Sequence, residues 1–70
     1  MQHNEVMRIF SFHPADTEEK RELHETVRDK CFVLAEWIND NVPASPEQTL
    51  AIRKVQEAMM FANSAVAQYS

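Results

Sequence analysis

The residues best suited to chemistry in this sequence are two arginines and the aromatics near them. Arg21 and Arg28 are seven positions apart and so share one flank of a helix. Phe32 lies one turn beyond Arg28, and Phe12 and His13 come just before the helix begins. Planar guanidinium groups bind phosphates through paired hydrogen bonds, and aromatic rings stack on bases. Together these groups would suit a small nucleotide held between subunits. A plainer reading is also open: Glu25 is four residues from Arg21 and three from Arg28. Surface ion pairs at that spacing are worth only about 0.3 kcal/mol and imply no ligand.

Other chemistry is poorly supported. His24-Glu25-Thr26-Val27-Arg28 resembles the HExxH zinc motif, but Arg28 stands where the second histidine should be and cannot bind zinc. His24 and Cys31 are seven apart on one face and could give two metal ligands, with no third or fourth in sight. A helical histidine beside an apolar stripe is far more often a packed side chain. Cys31 lies on that stripe, where a buried, inert thiol is the expected state. The sequence contains no glycine, which removes phosphate loops, dinucleotide fingerprints, EF-hand loops and nucleophile elbows. Neither a catalytic residue nor a bound metal or cofactor is expected, and the chain reads as a binding protein rather than an enzyme.

The elements that must position these groups are helices. Seventy residues leave room for one small domain, which buries only about 60% of its unfolded surface. Asp16 is a good N-cap after Pro14, and Glu19 completes a capping-box pattern. Leu23, Val27, Cys31, Leu34, Ile38 and Val42 then follow at steps of three and four, one face of a long amphipathic helix that Pro43 stops. Ser45-Pro46-Glu47-Gln48 opens a second helix with a capping serine, a proline at the first helical position and a capping-box glutamine. Nothing breaks it before Tyr69. Ala51, Val55, Ala58, Ala62 and Ala65 form a seam of small side chains along it, with Ile52, Met59 and Val66 running beside. Such a seam predicts close helix packing. The expected fold is therefore all-α: an antiparallel two-helix hairpin over residues 16–70, preceded by a short N-terminal leader, 1–15.

A two-helix hairpin covers only one side of each helix, and chains this small usually need disulfides, metals or oligomerisation. The lone Cys31 cannot form an internal disulfide. Leu50, Met60 and Phe61 lie away from the small-residue seam, and Phe32 and Trp37 flank the first helix's stripe. Five large apolar side chains left over on two helices predict a homo-oligomer. The net charge of −4 argues against a DNA or RNA polymer as partner. No run approaches the ~18 apolar residues of a membrane span, and the start lacks the apolar core of a signal peptide. A reducing cytoplasm is the expected location.

The order of four elements adds a family resemblance. Phe12-His13-Pro14, His24-Glu25-Thr26-Val27-Arg28, Pro43 through Gln48, and Ala58-Met59-Met60-Phe61-Ala62-Asn63-Ser64-Ala65-Val66-Ala67 resemble the hairpin domain shared by phage anti-CBASS and anti-Thoeris sponge proteins. The likeness spans about residues 10 to 68. It implies a compact helical oligomer, typically a hexamer, that binds cyclic nucleotide signals of bacterial immunity without cleaving them. It also implies an aromatic residue stacking on the ligand (here Phe12 or His13), a phosphate contact from Arg28 and a lining residue at Asn63. Some relatives hold cyclic trinucleotides at a second site through a basic residue late in the second helix, where this chain has Asn63 or Ser64 instead.

The function this implies is immune evasion by sequestering cyclic nucleotides, cyclic dinucleotides foremost, in the host cytoplasm if the chain is phage-encoded. The alternative from another class is a helical protein-interaction module, an antitoxin or assembly adaptor that docks through Leu50, Phe61 and Trp37.

Overall fold

The computed structural model describes residues 2–4, 6 and 17–69. Two helices of 24 residues each, α1 (Glu18–Asn41) and α2 (Pro46–Tyr69), fold back on each other as a hairpin. At 1.5 Å per residue each is about 36 Å long. Among the described residues there is no strand. Near the start of the chain, the Val6 amide donates to the Gln2 carbonyl at 3.1 Å.

The start of α1 differs from expectation by one residue. Thr17, not Asp16, is the N-cap: its backbone is extended and its hydroxyl accepts from the Lys20 amide at 3.1 Å. Both residue types cap well, and the one whose side chain meets the third helical amide takes the role. Glu18 and Glu19 fall in the first turn, where their charge suits the helix dipole. Asp16 itself lies outside the described residues.

The connection between the helices turns without glycine. Pro43 disfavours a helical Val42, which sits at φ −90°, ψ 136°. No described residue has positive φ. The carbonyls that a left-handed glycine cap would ordinarily help to satisfy need another donor. Gln48 supplies it. Its side-chain Nε2 donates to the carbonyls of Val42 at 2.9 Å, Asn39 at 3.1 Å and Ile38 at 3.4 Å. An amide nitrogen has two hydrogens, so the longest of the three contacts is a shared one. The Ile38 carbonyl also accepts from the Val42 amide at 2.9 Å. Asn41 Nδ2 donates to the Trp37 carbonyl at 2.9 Å.

Gln48 also belongs to the start of α2. Its backbone N–H donates to Ser45 Oγ at 3.1 Å, and Ser45 Oγ donates to the Pro43 carbonyl at 3.0 Å. Ser45 is thus the N-cap and Pro46 the first helical residue, as the sequence predicts. The capping-box role expected of Gln48 is replaced, because its side chain crosses to α1 instead of turning back to Ser45. It is the one described residue classed as buried, at 9% exposure.

Val27, Cys31, Ile38 and Val42 line the facing side of α1, half-buried, together with His24 and Ala35. Leu23 and Leu34 sit at the margin and are exposed. On α2 the facing residues are Gln48, Ile52, Val55, Met59, Asn63 and Val66, all buried or half-buried. The alanine seam is rotated off this contact. Ala58, Ala62 and Ala65 are exposed, and only Ala51 and Val55 keep partial cover. The larger side chains take the inner face because each removes more apolar area from water. No hydrophobic residue among those described is fully buried.

Replacing Gln48 with leucine keeps the bulk and removes the donor, leaving carbonyls at the end of α1 without their partner. Loss of about 1–3 kcal/mol of unfolding free energy is expected, against about 1 kcal/mol for Ser45→Ala. Urea denaturation followed by circular dichroism measures both. A Gln48→Leu midpoint equal to wild type would show that water replaces the side-chain donor at no cost.

Candidate functional site

The antiparallel register decides which polar groups meet. His24 on α1 stands opposite Asn63 on α2, with 3.0 Å between Nδ1 and Oδ1. An imidazole protonated on Nδ1 donates to this oxygen, whereas the other tautomer would accept from the amide nitrogen instead. Both residues are half-buried. Arg28 follows His24 by one turn, about 6 Å along the axis.

Arg28 borders an open groove of about 230 Å³ between the helices. Cys31, Phe32 and Ala35 line it from α1, and Ile52, Val55, Gln56 and Met59 from α2. The walls are largely apolar, with one cation and one carboxamide at the margins. Gln56 and Asn63 are seven residues apart and share a face of α2, so Asn63 lies on the groove's side of the hairpin, one turn past Met59.

The charge pattern separates the two arginines. Arg21 pairs with Glu18 at 3.4 Å, an exposed i,i+3 contact. Glu25 is not the partner that spacing suggested for it. Arg28 makes no ion pair with any described residue. A guanidinium at the rim of an apolar groove and free of a carboxylate is available to an anion, with five donors in a fixed fork. Lys54 and Glu57 form a further exposed pair at 3.3 Å on the outer side of α2.

Among the residues expected to form the site, Arg28 and Asn63 occupy the same side of the hairpin. Phe12 and His13 lie outside the described residues. Gln56 was missed, and a lone glutamine in a helix gives no signal until the register sets it across from Phe32. His24 is joined to Asn63 through Nδ1, and no cluster of three metal-binding side chains occurs among the described residues.

A sequence profile of the Acb2/Tad1 hairpin domain matches residues 2–67, nearly the whole chain. The chain belongs to the Acb2/Tad1 hairpin family. Members of the Acb2/Tad1 family are known as sponges that sequester cyclic nucleotides of the CBASS and Thoeris defence systems rather than as enzymes. No curated protein and no solved structure matches the chain. The hairpin fold expected of the family is the fold found, and no described helix is long and apolar enough to cross a membrane.

Because Arg28 has no ion pair among the described residues, its charge contributes little to the hairpin itself. Arg28→Gln is expected to change the unfolding free energy by less than about 0.5 kcal/mol. A loss above 1 kcal/mol in urea denaturation would mean that the guanidinium serves the fold.

Proposed function

We propose that this chain is a sponge for cyclic nucleotides, cyclic dinucleotides foremost, which it holds between protomers without cleaving them. Arg28 contacts phosphate, Phe12 or His13 stacks on a base, and Asn63 lines the site. The observation that carries the reading is the Arg28 guanidinium, without an ion pair among the described residues, at an apolar groove on the same side of the hairpin as Asn63. Family membership supplies the ligand class.

The groove's size supports a shared site. At about 230 Å³ it is smaller than the roughly 300–1,000 Å³ of pockets that enclose a whole small-molecule ligand. One hairpin can bed part of a cyclic dinucleotide, and a second copy must cover the rest. The exposed apolar residues support the same conclusion. Phe61 is 74% exposed and Trp37 59%, and Phe32, Leu50 and Met60 are also exposed. The bared alanines of α2 would let a neighbouring helix approach closely. The assembly proposed is a homo-oligomer, a hexamer as in the family, acting in the cytoplasm of the host if the chain is phage-encoded. The net charge of −4 is no obstacle, because a local basic rim can attract a dianion to an acidic protein.

A second reading rests on the same exposed residues: a helical interaction module, antitoxin or adaptor, that docks another protein through Leu50, Phe61 and Trp37. Ligand binding separates the two, since occupancy of a tight site raises the thermal midpoint by mass action.

Isothermal calorimetry against cyclic di-AMP, cyclic di-GMP, cyclic GMP–AMP, cyclic triadenylate and cyclic ADP-ribose isomers should find at least one binder of micromolar affinity or better. The product of long incubation should be unchanged nucleotide. No binder in the panel, with a protein partner co-purifying, would overturn the sponge reading in favour of the docking module. Arg28→Ala should weaken binding by at least about tenfold, a loss of 1.4 kcal/mol or more, and leave the native mass spectrum of the oligomer unchanged.

A further inference from the structure

We propose that His24 is a positioning residue that fixes which polar group Asn63 offers to the ligand. The inference rests on the reading of Asn63 as a site residue given above.

A carboxamide has nearly the same shape with its oxygen and nitrogen exchanged, so sterics alone do not orient it. Its hydrogen-bond partner does, through the tautomer that partner holds: we take the ring as protonated on Nδ1, which claims the amide oxygen. Here the partner is a ring nitrogen on the other helix, 39 residues away in sequence and 3.0 Å from Oδ1. On the face of α2 that packs against α1, the residues one turn to either side of Asn63 are Met59, Val66 and Ala67. None of them has a polar side chain that could compete for the amide oxygen. With Oδ1 taken by His24, the two hydrogens of Asn63 Nδ2 remain, and they meet no described residue. No described buried side-chain nitrogen or oxygen lacks a partner, so this unpartnered Nδ2 must reach the surface.

The consequence is one of polarity. Asn63 presents donors on the groove's side of the hairpin, and donors select acceptors: phosphoryl oxygens, a purine N7 or a base carbonyl. The reverse pairing, with the ring nitrogen accepting from Nδ2, would turn the amide oxygen outward and favour exocyclic amines. His24 thus acts on the ligand through Asn63, without touching it. His24 Nε2 likewise has no partner among the described residues.

Two measurements test this together. In the unliganded protein, ¹⁵N NMR of the neutral His24 ring should find the proton on Nδ1; a proton on Nε2 would overturn the assignment. A double-mutant cycle then reads the coupling, using the tightest binder of the nucleotide panel. Asn63→Ala and His24→Ala are each expected to weaken binding by about three- to tenfold. The double variant should bind no more weakly than Asn63→Ala alone. His24→Gln, which keeps a side-chain donor, should stay within about threefold of wild type, and circular dichroism checks that each variant is folded. Additive losses would show that His24 meets the ligand itself, and an inert His24→Ala would show that it positions nothing. Wild-type affinity in Asn63→Ala beside a loss in Arg28→Ala would overturn this inference and leave the sponge reading standing. If no panel member binds the wild-type chain, both fall.

Discussion

The hairpin depends on one side chain that serves both of its helices. Gln48 gives its backbone N–H to the cap of α2 and its side-chain hydrogens to the last carbonyls of α1. A helix that ends within the protein leaves four carbonyls without partners, and this chain has no glycine to fold back over them. A residue from the next helix closes that end instead. The connection is therefore short, and its geometry is tied to the register of the two helices. A shift of α2 by one residue would pull the amide away from Val42 and Asn39.

Register, in turn, makes the candidate site. With Gln48 fixed against the end of α1, the helices run back antiparallel and bring Asn63 opposite His24 and Met59 near Arg28. Arg28, Phe32, Gln56 and Asn63 then share one side of a thin structure, and Leu34 and Trp37 flank the opposite edge of α1's packing stripe. The groove side holds Arg28, which has no ion pair among the described residues, and exposed apolar surface remains on both helices. An open groove with exposed apolar surface beside it, Phe32 included, suits a protomer whose site is finished by a neighbour.

Much of this was readable from residue types in order. Pro43 and the Ser45–Pro46 pair bound two uninterrupted patterns, and two helices of 24 residues follow from them. The steps of three and four put Val27, Cys31, Ile38 and Val42 on the packed side. What could not be read was a choice between near equals. Asp16 and Thr17 are both good caps, and only the final geometry selects the threonine. On α2 the alanine seam and the Ile52–Met59–Val66 line are both helical stripes sharing the flank near Val55, and larger buried area decides between them. Gln48's crossing and the His24–Asn63 bond join polar residues whose pairing depends on three-dimensional register, which no local pattern encodes. Of the proposed site, Arg28 is suggested by type and spacing and Asn63 by family likeness, whereas Gln56 carries no mark at all in the sequence.

The clasp sits at one end of the molecule, and this has a mechanical consequence. Asn63 is fifteen residues beyond Gln48, roughly 22 Å along α2, in the half of the hairpin farthest from the closed turn. Fluctuations of two rods joined at one end grow with distance from the joint, and local opening is cheapest where few apolar contacts must break. The arms should therefore separate from the far end first, like tongs, with His24 and Asn63 acting as a weak latch across them. A molecule bridging the arms near that latch would join them at a second point and raise the cost of that opening.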